Sequence, residues 1–459
     1  MKYSNKKLFI WILEYNNPTK FETKKEIRDD YDGVIDDILL RDRDIEIIKD
    51  KPAKLRQMTD KYNVVLRFEQ LGQSCGIYDG PSGKEYVEGA TVFDSLPNLV
   101  IKDMKSGRCK FILFNYDINS NLFYGYKTLQ AEMERRKIPY ESVTIVDSES
   151  TCYRYKDILP ELKLDIFWIQ WWGIACSDWI SSRVDIKEFY LNTKIRPYYF
   201  LTLNQTPKVH RSFLIGELVK NYNIHKGLAS IGDGDNNAIS ENRRNMLFTE
   251  GLYSHIKDFK GQQSNNWPWI GEYTKQNYLD SYFNITCANE WRPGKELNTG
   301  MNDGYVIQEG DDVGERQFFV EEAIKLMDNK QKPYMTDGHP ELFGGECSFG
   351  TVLTEKIWKP IANCQPFIFL GVTEELKALR EMGFETFDID ESYDEEQSGR
   401  KRFNMIMKEI NKLCGMSKEK IHNWYWDQWE ILEHNFNHYL GDWKQKELEK
   451  YFEIYEWKD

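Results

Sequence analysis

The feature that most constrains this chain is the alternation of short apolar runs with helical stretches through its first 190 residues. Lys7–Leu13, Asn63–Phe68, Cys109–Phe114, Val143–Val146 and Asp165–Trp172 are long enough for buried strands and short for core helices. The clearest unit is Phe111–Phe114, a polar turn at Asn115–Asn121, a helix expected near Tyr126–Arg136, and then Val143–Val146. Strand, helix and strand at that spacing make a crossover between parallel neighbours. The pattern therefore predicts an α/β domain built on a mainly parallel sheet.

A chain of 459 residues is too long for one ordinary core, so a second domain is expected. The boundary falls near residues 185–197, where Asn192–Pro197 precedes a fresh strand at Tyr198–Leu203 and Pro197 holds Arg196 extended. The first domain is read as 1–190 and the second as 191–397. The second continues with a helix around His210–Asn223, strands at Leu228–Ile231, Tyr282–Cys287 and Pro366–Leu370, and a helix around Thr373–Glu381. Residues 291–350 are rich in Gly, Asp and Asn and weakly periodic. So long a structureless loop is suspect in a compact domain, so the stretch reads as an insertion. From 398 to 459 the pattern is helical and dense in aromatic residues, with Ile406, Ile410 and Leu413 on one face.

Composition narrows the classes of function. A net charge of -13 argues against a general polyanion-binding surface, since such affinity rests on Lys and Arg neutralising phosphates. The eight cysteines contain no C-x-x-C pair and suit reduced thiols in a cytosolic protein. No apolar run reaches the length of a membrane span, and Leu8–Leu13 reads as a first core strand rather than a signal peptide. The aromatic share of 14% has two readings, buried core rings or ring faces that stack on sugars and bases.

Two separated segments offer charged groups over strand ends. The strand Phe200–Asn204 leads through Gln205–Lys208 into a helix with His210 and Arg211 in its first turn, which suits a bidentate phosphate ligand at a sheet's carboxyl edge. Farther on, Leu353-Thr354-Glu355-Lys356-Ile357-Trp358-Lys359-Pro360 precedes the buried strand Pro366–Leu370 and Gly371, presenting a carboxylate and a cation at a helix start. Each segment alone also fits an ordinary exposed Arg or a solvated capping pair.

The second segment resembles the donor-binding core of the α1,3-fucosyltransferase family and of related glycosyltransferases of bacteriophages and large DNA viruses. The resemblance rests on Thr354-Glu355-Lys356, Lys359-Pro360, Pro366-Phe367-Ile368 and Gly371, then on Leu379-Arg380-Glu381-Met382-Gly383-Phe384-Glu385-Thr386-Phe387 and Glu391-Ser392-Tyr393-Asp394. Asn204 with His210-Arg211 fits the position of the family's helix Arg. The likeness covers about residues 198–410 and is strongest over 353–394. It implies two Rossmann-like domains (the GT-B architecture), followed here by the helical C-terminal segment, and an enzyme that moves a sugar from a nucleotide-sugar to an acceptor hydroxyl. It implies an inverting, metal-independent transfer, with the nucleotide-sugar as co-substrate and no other cofactor, while the cysteine usage and the lack of a membrane-length run are what suggest a cytoplasmic protein with no membrane partner. By the same likeness Glu355 would hold the donor ribose, and Lys356 and Arg211 the diphosphate. The family's strand-end Glu is matched by Glu290, which follows the strand Tyr282–Cys287, or by Glu346, nearer in spacing; strand context favours Glu290.

An inverting transfer needs a base on the acceptor hydroxyl. That base should come from the first domain, where Asp117 follows the strand Phe111–Phe114 and Glu69 follows Val64–Phe68. The acceptor is a glycan or a modified DNA base. The rival reading is a metal-dependent GT-A enzyme using Asp233 and Asp235, although Asp-x-Asp in a Gly/Asn-rich stretch is also common turn chemistry. A third reading is a non-catalytic carbohydrate-binding or structural protein on a transferase fold. His434 and His438 share one helix face at i, i+4, which suits packing when no third ligand is near.

Overall fold

The computed structural model describes residues 8–13, 45–48, 61–68, 77–80, 83–86, 93, 96–115, 122–148, 161–204, 209–231, 272–288, 353–371, 373–396 and 399–455. The chain divides into two compact units, residues 1–171 with 446–459, and residues 172–445.

The first unit holds a parallel sheet of β1 (Leu8–Leu13), β2 (Ile45–Ile48), β3 (Tyr62–Phe68), β6 (Cys109–Asn115), β7 (Val143–Asp147) and β8 (Asp165–Trp168), in the order β2-β1-β3-β6-β7-β8. A small antiparallel pair, β4 (Ile77–Gly80) and β5 (Gly83–Tyr86), stands apart from it. Every residue of β7 is buried, as expected of a strand covered on both faces. Helices α1 (Asn98–Lys105) and α2 (Leu122–Arg136) lie on the connections before and after β6. Val100, Met104, Leu129 and Met133 are buried apolar residues of these helices. Below β6, Asp103 joins the turn to the sheet: Tyr62 donates its hydroxyl to Asp103 at 2.8 Å and Arg108 pairs with the same carboxylate oxygen.

The second unit repeats the plan with β9 (Tyr198–Asn204), β10 (Leu228–Ile231), β11 (Ser281–Cys287) and β12 (Phe367–Leu370), parallel and ordered β10-β9-β11-β12. Its helices are α3 (Trp171–Ser181), α4 (Ile186–Tyr190), α5 (Val209–Lys220), α6 (Glu272–Leu279), α7 (Glu355–Ala362), α8 (Glu375–Glu381), α9 (Gly399–Cys414), α10 (Lys418–Asp427) and α11 (Trp429–His438). In both sheets the first strand has its successor on one side and all later strands on the other, so each sheet has a topological switch point. The fold is thus mixed α/β with two parallel sheets, compatible with Rossmann-like domains.

Most described rings are spent on cores. Trp358 of α7 is fully buried, stacked on Tyr439 at 5.1 Å and Trp443 at 4.7 Å, with Phe384 edge-on at 5.5 Å. Its indole N–H donates to Leu353 O at 2.9 Å, so the one polar atom of the ring is satisfied.

The compact units divide elsewhere than the boundaries expected at 190/191 and 397/398. Residues 185–197 are built into the second unit: Asp185 accepts from Lys187 N at 2.9 Å and caps α4, Phe189 is fully buried, and Arg196 is buried over Tyr425 at 3.8 Å. Helices α9–α11 supply Ile406, Ile410, Leu413, Ile421 and Tyr425 to the same core rather than forming a separate segment. Residues beyond 445 return to the first unit, where Lys110 donates to Ile454 O at 2.6 Å and Gln170 N to Glu447 Oε2 at 3.1 Å. The run read as a strand over Asp165–Trp172 stops at Trp168, and Trp171 opens α3. The expected insertion at 291–350 lies outside the described residues.

Candidate functional site

The switch point of the second sheet lies between the carboxyl ends of β9 and β11, because the chain leaves β9 toward β10 on one side and β11 toward β12 on the other. Crossover connections departing in opposite directions open a crevice at that edge, where open α/β sheets bind ligands. Three described segments put polar groups there: the end of β9, the start of α5 and the start of α7.

At the strand ends, Asn204 donates to Thr202 Oγ1 at 3.1 Å, and Thr202 donates to Ile285 O at 2.9 Å, tying β9 to β11. The Cys287 thiol, the last residue of β11, is buried and also bonds Thr202 and Asn204; burial pushes it up to about 11 against the pull of Arg211 and Lys356. Arg211, in the first turn of α5, is 1% exposed and donates from Nη2 to Ala288 O at 2.7 Å. That bond fixes the guanidinium to the segment leaving β11. Gly371 closes the neighbouring edge; a Cβ there would run into the Phe369 ring and meet Ala288 Cβ at 3.0 Å.

Glu355 and Lys356 open α7 and pair directly, Lys356 Nζ to Glu355 Oε1 at 2.7 Å, with side chains 17% and 18% exposed. Thr354 precedes them without a side-chain cap; instead Ile357 N reaches back to Thr354 O at 3.1 Å and the Glu355 carboxylate accepts from its own N–H. Burial raises the Glu355 carboxyl, but Lys356 and Lys359 outweigh it and hold the group at about 2. Burial lowers the Lys356 ammonium, Glu355 opposes that, and Arg211 and Lys359 push it further down, to about 8. Lys356 and Lys359 thus set positive charge against one carboxylate beside a helix N-terminus, with Arg211 adding to the field at Lys356, an arrangement suited to an anion with oxygens to share.

Comparison with known protein families, curated proteins and solved structures finds no match to this chain. The assignment of a function to the crevice therefore rests on its own residues.

Of the residues singled out in the sequence, Asn204, Arg211 and Lys356 all act on the buried Cys287 thiol at the end of β11, and Lys356 brings its partner Glu355, although the first two and the last two are far apart in the chain. Glu290, its alternative Glu346, the base candidates Asp117 and Glu69, and the metal candidates Asp233 and Asp235 lie outside the described residues. Sequence reasoning missed Lys359 and Cys287 as members of the site. Lys359 was legible in principle, standing four residues after Glu355 on the same helix face. Cys287 carried no signal beyond ending a strand.

The stretch 379–394 takes a supporting role in the geometry. Asp394 accepts from Leu376 N at 3.1 Å and Lys377 N at 3.0 Å, capping α8, and Phe369 N of β12 donates to Tyr393 Oη at 3.4 Å. Arg380 bonds Glu391 at 2.9 Å across the same turn. His434 and His438 stack at 5.6 Å and make Nε2 hydrogen bonds with the carbonyls of Gly383 and Met382 at 3.0 and 2.9 Å, closing the other end of α8. Among the described residues no group of three or more His, Cys, Asp or Glu is disposed to hold a metal ion, and no helix is long and apolar enough to cross a membrane.

Proposed function

We propose that this chain is a cytoplasmic nucleotide-sugar-dependent glycosyltransferase of the GT-B type, with its donor site in the crevice between β9 and β11. The observation that carries the reading is the convergence of Arg211 with the Glu355–Lys356 pair at the switch point of a parallel sheet. The resemblance of 353–394 to the fucosyltransferase-like enzymes, whose motif residues include Glu355 and Lys356, supports the same reading.

In this reading Glu355 accepts hydrogen bonds from the ribose diol, which suits a carboxylate that stays ionised down to about 2. Lys356, Arg211 and Lys359 face the diphosphate and oppose the charge that grows on it as the glycosidic bond breaks. Glu290 would join them from the chain leaving β11. Transfer inverts the anomeric centre without metal or further cofactor, and a general base takes the acceptor proton. The acceptor is a glycan or a modified DNA base.

A panel of UDP-, GDP- and CMP-sugars, assayed for nucleotide release with and without added acceptors, tests the proposal. Release from one donor, abolished in Lys356→Ala, is expected. A folded protein that binds none of the panel would sink it.

A further inference from the structure

The crevice holds one group whose chemistry a binding role does not exhaust. Arg211 and the Cys287 thiol are buried, 1% and 2% exposed, whereas the Lys356 side chain keeps 18% of its surface open to a reagent. Its ammonium rests on one carboxylate oxygen, Glu355 Oε1 at 2.7 Å, in the first turn of α7, while two further cations, Arg211 and Lys359, oppose its charge. Together with burial they bring it to about 8. About half of the amine is therefore neutral at pH 8, against about three parts in a thousand for an ordinary lysine, and only the neutral amine has a lone pair to give.

We propose that Lys356 is an acylation site whose reagent is a small acyl phosphate, drawn in by Arg211 and Lys359 and consumed by the Lys356 amine. The inference stands on the crevice as an anion site; only its consequence, loss of donor binding, rests on the glycosyltransferase reading. Charge selects the reagent. An acyl phosphate offers a dianion to the same cations that would face a diphosphate, and its electrophilic carbonyl lies one bond from that dianion. The neutral amine adds to the carbonyl carbon, the C–O bond to phosphate breaks, and phosphate leaves with the electron pair and takes up the amine's proton. The products are an amide and hydrogen phosphate. The amide is uncharged, so the reaction removes one cation of the crevice together with the close partner of Glu355. Lys418 is the internal control. Burial lowers its ammonium too, but Nζ donates to Arg196 O at 3.1 Å and Pro197 O at 2.5 Å, carbonyl groups that repel a phosphate.

The test treats the full chain with acetyl phosphate between pH 7 and pH 9.5, with and without inorganic pyrophosphate, and locates acetyl groups by peptide mass spectrometry. With reagent below saturation the rate follows the ionisation of the free protein. We expect Lys356 to react about tenfold or more faster than Lys418. Its rate should rise about tenfold from pH 7 to pH 9 and then level, where an ordinary lysine gains about a hundredfold and keeps rising. Pyrophosphate should protect Lys356 and leave Lys418 as it was, and Lys356→Arg should lose that site and no other. Acetylation of Lys356 no faster than of Lys418, or a Lys356 rate that pyrophosphate does not change, overturns the inference. So does an equal preference for Lys356 shown by an uncharged acylating ester, because the phosphate would then play no part. Protection by pyrophosphate but by no nucleotide-sugar supports the inference and counts against the donor assignment alone.

Discussion

Lys356 Nζ lies 2.7 Å from Glu355 Oε1, so two successive residues in the first turn of α7 neutralise each other. The pair is unequal. Glu355 is ionised at any ordinary pH, whereas Lys356, held at about 8 by burial and by Arg211 and Lys359, loses its charge in the range where enzymes are assayed. If this ammonium faces the donor diphosphate, affinity is full below pH 8 and falls as pH rises through it. An anion restores the proton, so binding above pH 8 should take up protons from the buffer. Calorimetry in buffers of different ionisation heat measures that uptake. Lys356→Arg, charged throughout, should abolish both the uptake and the alkaline loss. A donor affinity that is flat from pH 7 to pH 9.5 in the unmodified protein would separate Lys356 from the ligand.

Arg211 has two duties that substitution can separate. It contributes charge to the crevice and it holds Ala288 O. Arg211→Ala removes both and should lower stability by about 1–3 kcal/mol as well as donor affinity, since a buried carbonyl loses its partner. Lys356→Ala and Glu355→Gln each lose one charge-assisted contact with the donor, about 1.5–3 kcal/mol, or roughly tenfold to hundredfold in affinity. Lys356→Ala should also slow turnover, because its charge opposes one that grows in the transition state; Glu355→Gln should act on donor affinity. Unfolding midpoints and donor titrations on the same preparations check the set. Normal donor binding in folded Lys356→Ala would remove the crevice from consideration.

The sheets were legible because buried parallel strands are written as uninterrupted apolar runs, and Cys109–Phe114 and Val143–Val146 differ from the observed strands by one residue each. The limits of that signal show at Asp165–Trp172. An apolar run rich in Trp reads equally as strand or helix, and only the packed structure ends the strand at Trp168. Residues 185–197 look like a linker because their polar residues and Pro197 dominate the pattern, while their place in the fold is decided by Phe189 and Arg196, whose burial no periodicity announces. In the crevice, a helix start at Glu355–Lys356 could be read locally. The meeting of that pair with Arg211 could not, because it depends on β9 and β11 being neighbours.

The choice between cationic side chains and a divalent ion as the diphosphate's partner has a direct readout. With Arg211, Lys356 and Lys359 supplying the positive charge, nucleotide release should persist in excess EDTA, and Asp233→Asn should change it little. Activity that vanishes with EDTA and returns with manganese would transfer the donor site to Asp233 and Asp235.

The last prediction separates the start of α7 from the turn at 391–394. Asp394 is buried, and its carboxylate receives the N–H groups of Leu376 and Lys377 at the start of α8. Burial raises its pKa despite those bonds and the nearby Arg380 and Arg402, so the environment disfavours the charge itself while it uses the acceptor oxygens. Asp394→Asn keeps one acceptor and removes the charge; Asp394→Ala leaves both helix N–H groups without it. The Ala variant should therefore cost about 1–3 kcal/mol in chemical unfolding and the Asn variant clearly less. Donor binding should survive in both, since the carboxylate braces α8 rather than lining the crevice. An Asp394→Ala protein with unchanged stability and lost donor binding would reverse that assignment and bring the 391–394 turn into the ligand site.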